Sequence, residues 1–183
     1  MPFGSKVAWL ALDTRDTQAV AAALDLREAR TATWEEGIKA AYQSSIYVTP
    51  PLADWTLVAG TALFPPDRVE TFIKPLLERL SRQFGYAQYF CSHREFELHV
   101  WARARQGRLV RGYGWLGAKG LTLWNEGAPT REERDLGLSF FDGPSPTGAR
   151  PDEDSVMQLA NLWSIDPTSL NEDFKEPLMG LLG

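Results

Sequence analysis

The sequence predicts an α+β fold in one domain, a central, mostly antiparallel twisted sheet with helices packed on one face. Three observations lead there. Residues 86–124 read as an unbroken run of strands, with short turns between alternating stretches. Residues 67–84 carry an apolar stripe at helical spacing. The 183 residues, 44% of them hydrophobic, contain no internal repeat and no linker long enough to divide them, so 1–183 reads as a single unit.

Lys6 to Leu12 (KVAWLAL) is too apolar for an alternating surface strand and is expected at the centre of the sheet. Asp16 to Leu26, rich in alanine, reads as a helix capped by Asp13 or Thr14. Trp34 to Tyr42 follows as a short helix; Thr33 and Glu36 stand at the spacing of a capping box. Ser45–Val48 and Trp55–Phe64 read as strands either side of the Thr49-Pro50-Pro51 turn. In Asp67–Phe84, Val69, Phe72, Ile73, Leu76, Leu77, Leu80 and Phe84 share one side. Asp67 and Glu70 suggest a second capping box, Gly85 a stop, and Pro75 an internal kink.

Around Gln106-Gly107, a two-residue turn pairs Arg105 with Arg108. Continued without interruption, that register gathers Leu98, Val100, Ala102 and Ala104 on a core face. Glu97, His99, Trp101 and Arg103 then lie on an outer face, with Trp101 over Gly112. After Trp124, Thr130 and Glu133 form a third capping box opening a short charged helix. Phe140 to Pro151 reads as an exposed loop. Asp152 or Asp154 caps a helix running to Trp163, and Asp166-Pro167 starts another short helical turn.

Charge is uneven. Residues 1–124 hold 15 Lys and Arg against 12 Asp and Glu, while residues 125–183 hold 4 against 12. The acidic segment suits a docking surface for a basic partner, because a concentrated field steers encounter and selects by sign. The same sign argues against nucleic acid, and the segment after Leu159–Leu170 is acidic where a DNA-reading helix would be basic. The one cysteine, Cys91, excludes an internal disulfide. No apolar run approaches the length that crosses a bilayer, and Met1 to Leu12 has no cleavable leader pattern, so the expected location is the cytoplasm, away from membranes.

Residues that carry chemistry are few. Cys91, His93, Glu95, Glu97 and His99 would share one face of an extended strand. Of these, Glu95, Glu97 and His99 form the candidate set for a metal-dependent or acid–base enzyme. Strand rise separates His93 from His99 by about 20 Å, so a second strand would have to supply further ligands. Neither a nucleophile elbow nor a phosphate-binding loop in its strand–loop–helix setting is present. The expectation is therefore no catalysis and no cofactor. Seven tryptophans offer anchors instead. Trp34, Trp101, Trp124 and Trp163 stand at element ends or on the outer face, where exposed rings would serve an interface.

The segments Trp55-Thr-Leu-Val-Ala-Gly60, Tyr89-Phe90 with His93-Arg94, Trp101-Ala-Arg103, Gly107 to Gly117, Leu123-Trp-Asn-Glu-Gly127 and Trp163-Ser-Ile-Asp-Pro167 resemble a group of uncharacterised bacterial proteins over most of the chain. In size, charge and lack of catalytic residues the chain is also similar to cytoplasmic immunity proteins of secreted (type VI or polymorphic) toxin systems. The second resemblance implies a protein that binds one cognate toxin, in some cases a nuclease, and occludes its active site. On that reading the contact residues are Trp124, Glu126, Glu132, Glu133, Asp152, Glu153 and Asp154.

Overall fold

AWLAL leaves no polar side chain for either face of a strand, so both faces have to be covered. In the computed structural model, which describes residues 6–64, 68–140, 150–170 and 179–183, this segment is β1 (Ala8–Leu12), buried throughout. The other strands are β2 (Arg30–Thr33), β3 (Tyr47–Val48), β4 (Thr56–Gly60), β5 (Tyr86–His93), β6 (Leu98–Arg105), β7 (Arg108–Leu116), β8 (Leu121–Glu126) and β9 (Met179–Leu182). They form one sheet in the order β2-β9-β3-β4-β1-β5-β6-β7-β8, and every pair is antiparallel. The α+β class and the central place of the first strand are as the sequence predicts. β2 and β9 are not anticipated by it, and β9 inserts between β2 and β3.

Helices cover both faces of the sheet, a correction to the single covered face expected. Odd and even positions of the central strands are both apolar, and each set has its own core. Trp9, Phe90, Trp101 and Tyr113 pack with α2 (Trp34–Ala41) and α5 (Glu153–Trp163). Leu10, Tyr89, Val100 and Ala102 pack with α1 (Thr17–Ala23) and α3 (Val69–Phe84). Trp9 stacks on Phe90 at 5.3 Å, and Phe90 meets Trp163 at 5.8 Å, so one aromatic row joins α5 to the middle of the sheet. Among the described residues no helix is long and apolar enough to cross a membrane.

Local signals set most helix ends. The Thr33–Glu36 capping box opens α2, and Gly85, at φ +84°, stops α3. Pro75 lies inside α3, and the helix continues through it. The α1 cap is Asp16, whose carboxylate accepts from the Ala19 N–H at 2.9 Å, in place of Asp13 or Thr14. Asp67, residues 141–149 of the expected loop and the acidic segment 171–178 lie outside the described residues.

The β6–β7 hairpin turns at Gln106-Gly107, both at positive φ, and pairs Arg105 with Arg108 as expected. One step further on, the register shifts. Ala104 faces Leu109 and Arg103 faces Arg111, so Val110 bulges out, 43% exposed. Trp101 therefore lies beside Tyr113, at 4.9 Å between rings, and not over Gly112. The ring over Gly112 is that of Trp124; a Cβ on Gly112 would stand 2.2 Å from it, so only glycine fits.

The bulge delivers Arg111 into the core beside Trp101, where both side chains are fully buried. Its guanidinium meets the fully buried carboxylate of Glu133 at 2.8 Å. It also donates to the Asn125 side chain at 2.7 Å and to the carbonyls of Glu126 and Gly127 at 3.1 and 3.0 Å. Glu133 accepts further from Trp101 Nε1 at 2.8 Å and from the Thr130 N–H at 2.6 Å. The capping box expected at α4 (Arg131–Asp135) is thus present, and its glutamate is also the counter-ion of a buried arginine. Removing one partner of such a pair leaves the other charged and dry. Glu133→Ala is expected to lower the unfolding free energy by about 3–5 kcal/mol, measured by urea denaturation. An effect below about 1 kcal/mol, the level of an exposed pair, would contradict this assignment.

Candidate functional site

β5 does not run on into β6. Residues Arg94–Phe96 form a 3-10 turn, and Glu97 adopts a left-handed conformation at φ 48°. The expected row of His93, Glu95, Glu97 and His99 on one strand face is therefore broken. His93 belongs to the α3 side and stacks between Phe64 and Phe96, at 5.5 and 4.7 Å. Glu95 turns to Lys6, with which it makes an exposed ion pair at 2.8 Å. His99 lies on the opposite, α5 side. Among the described residues no group of three His, Cys, Asp or Glu side chains is placed to hold a metal ion.

Cys91 is buried, 1% exposed, and burial pushes its thiol up to about 12 despite a hydrogen bond with Tyr89. At neutral pH it is a small apolar core residue, without nucleophilic character.

What remains of the expected chemical row joins part of the expected acidic surface. Glu97 and His99 line a cleft of about 560 Å³ together with Asp152, Glu153 and Asp154 at the start of α5. Trp115 and Gly117 close it on the β7 side, and Arg94, Arg150 and Pro151 complete its rim. Each wall has a local cause. Asp152 caps α5, accepting from the Ser155 N–H at 2.8 Å, which fixes the helix start against the sheet. Arg94 reaches Glu153 at 3.2 Å and ties the β5–β6 turn to α5. Gly117 has no side chain, so the Glu97 carboxylate can lie against the backbone; a Cβ there would sit 2.5 Å from Oε2. The Arg150 guanidinium stands 5.5 Å over the Trp115 ring.

His99 is the buried polar group of the cleft, only 5% exposed. It pairs across β6–β7 with Trp115 and across β5–β6 with Ser92, whose hydroxyl contacts Nδ1 at 3.2 Å. Ser92 is itself fully buried, so the pair orients the ring and offers no accessible nucleophile. Burial pushes the imidazole below its ordinary value of 6.5, against the opposing pull of Asp152, Glu153 and Glu97. Burial raises Asp152 in turn, but the Ser155 hydrogen bonds and His99 hold it below its usual range. With His99 neutral, the cleft holds four carboxylates against two guanidiniums, a formal −2.

The other expected contact residues lie elsewhere. Trp124 is 4% exposed and occupied with Gly112, so it is not available as a surface anchor; Glu126 beside it pairs with Lys74 of α3 at 2.6 Å. Glu133 is wholly inside the core. Glu132 is half-buried, held below its usual range first by a backbone N–H, with Thr130, Arg103 and Trp163 assisting against burial. Trp101 and Trp163 are buried and Trp34 half-buried. Sequence reading missed Trp115 and Arg150 as members of the site. The one available signal was that Trp115 falls opposite His99 once the bulge at Val110 is allowed.

The sign of the His99 shift fixes a pH dependence. As pH falls below 6.5 the unfolded chain protonates this histidine before the folded one does, so stability declines. The decline ends once the folded ring is protonated too. Urea denaturation between pH 7 and 5 is expected to show a weaker dependence in His99→Gln than in wild type; identical slopes would rule out a depressed His99.

The chain matches no family model, no curated protein and no solved structure.

Proposed function

We propose that this protein is a cytoplasmic binding protein of the immunity kind, which neutralises a cognate bacterial toxin by covering its active site. The observation that carries the reading is the meeting of acidic and apolar groups at one end of the sheet. The β5–β6 and β7–β8 turns and the first turn of α5 converge there. Glu97, Asp152, Glu153 and Asp154 supply the charge, and Trp115 and Pro151 supply the apolar wall. Apolar anchors within a charged rim are what a tight and selective protein interface requires. The negative sign suits a basic partner such as a nuclease, and opposes a role in binding nucleic acid directly. The similarity to immunity proteins of type VI and polymorphic toxin systems points the same way.

This reading replaces the earlier contact set in part. Asp152, Glu153 and Asp154 stay as contacts; Trp124 and Glu133 act inside the fold. A second reading, a small-ligand enzyme, keeps only Glu97 and His99 of its three residues, because Glu95 is held by Lys6 outside the cleft.

Co-expression with a toxin-like product of a neighbouring gene tests the proposal. The expected outcome is restored growth and a stable complex of the two chains, weakened at least about tenfold by reversing Asp152 and Asp154 to lysine. Undiminished toxin activity at saturating protein would remove it.

A further inference from the structure

We infer that the cleft is an arginine pocket: it takes the guanidinium of an arginine from the partner protein, in the place over Trp115 where Arg150 now stands. The inference rests on the binding-protein reading and identifies the group that reading leaves unnamed.

Four features agree on a planar cation. First, the volume of about 560 Å³ is in the range of pockets that hold a side chain or small ligand. Second, Glu97 and Asp154 have no ion-pair partner among the described residues, whereas Glu153 is engaged by Arg94 and Asp152 by the α5 cap. Two carboxylates are thus left for an incoming charge. Third, His99 is nineteen-twentieths buried and uses Nδ1 on Ser92, while Nε2 has no hydrogen bond among the described residues. A neutral ring that donates from Nδ1 to the serine oxygen leaves Nε2 as an acceptor for a guanidinium N–H. Fourth, the wall is an indole that already holds a guanidinium, that of Arg150, at 5.5 Å.

Arg150 makes no ion pair among the described residues and is exposed, so the contact with Trp115 is weakly held. A partner arginine, reaching deeper toward His99, gains the same stacking together with the carboxylates and Nε2. Lysine lacks the flat face and the forked donors that this arrangement fits. An anionic group would meet a net negative lining.

The probe is acetyl-Gly-Arg-Gly-amide, titrated into the isotopically labelled full chain and followed by NMR, with the citrulline and glutamate analogues as controls. The arginine peptide is expected to shift the Trp115 indole and His99 ring signals saturably, with half-saturation on the order of millimolar for so small a ligand. Arg150→Ala should tighten binding by removing the competitor. Glu97→Gln with Asp154→Asn should weaken it about tenfold or more, through loss of charge-assisted hydrogen bonds. Both substitutions are on exposed side chains, and thermal unfolding of each variant checks that the fold is kept. Equal binding of the citrulline peptide, or no movement of the Trp115 and His99 signals, overturns the pocket. Toxin rescue without arginine binding removes the pocket and leaves the immunity reading. Arginine binding without rescue removes the immunity reading, and with it a toxin as the source of the arginine.

Discussion

A charge placed out of reach of water has to be matched where it stands, and that requirement organises the half of the molecule around β6 to β8. Arg111 enters the core because β7 carries one residue more than β6 opposite it, and among the described residues only Glu133 pairs with its charge there. Glu133 can do so only if α4 begins at Thr130, and α4 can begin there only if the chain after β8 turns back over the sheet. The carbonyls of Glu126 and Gly127 bind the same guanidinium along the way. One ion pair thus joins a strand irregularity, a turn, a helix cap and Trp101. Such pairs contribute less net stability than their geometry suggests, because desolvation opposes attraction. Their effect is to exclude alternatives, since an uninterrupted register of β7 would set Arg111 opposite Ala102, on the other face of the sheet from Glu133.

The consequence extends to the cleft. With the bulge at Val110 in place, His99 faces Trp115; with an uninterrupted register it would face Gly114. The imidazole and the indole come together because the hairpin slips by one residue near its other end. Ser92 then fixes the ring from β5, and the Asp152 cap sets the height at which α5 starts above it. The site is held by the sheet and a helix start on one side, and its other wall is the left-handed Glu97 at the end of a tight turn.

Much of this fold was legible in the residues. Thr33 with Glu36 and Thr130 with Glu133 carry their helix starts in four letters each, and Gln106-Gly107 fixes the hairpin turn. The bulge was not legible, because Arg108 to Arg111 have no clear apolar alternation against which a slipped register would stand out. That omission placed Trp101 outside, although it is fully buried. The second covered face was hidden for a related reason: Glu97, His99 and Arg103 make that side look polar, yet Arg103 lies 4.5 Å over the Trp163 ring and His99, beside the start of α5, is only 5% exposed. β2 and β9 have four residues each, too few for any periodicity to speak. The cleft could be read only in fragments, since 94–99, 115–117 and 150–154 meet through tertiary packing alone.

The place of β9 bears on how the molecule assembles during synthesis. Among the described residues β2 has no neighbour in the sheet except β9, and β3 reaches β2 only through it. That flank therefore waits until residues 179–182 have left the ribosome, with β2 unpaired over some 150 residues of chain growth. β1 and β4 to β8 lie closer in sequence and can join earlier. Seven of the nine described strands, β3 among them through β4, thus gain partners before β2 and β9 can close, and an unfinished chain presents an open β3 edge to whatever strand reaches it first.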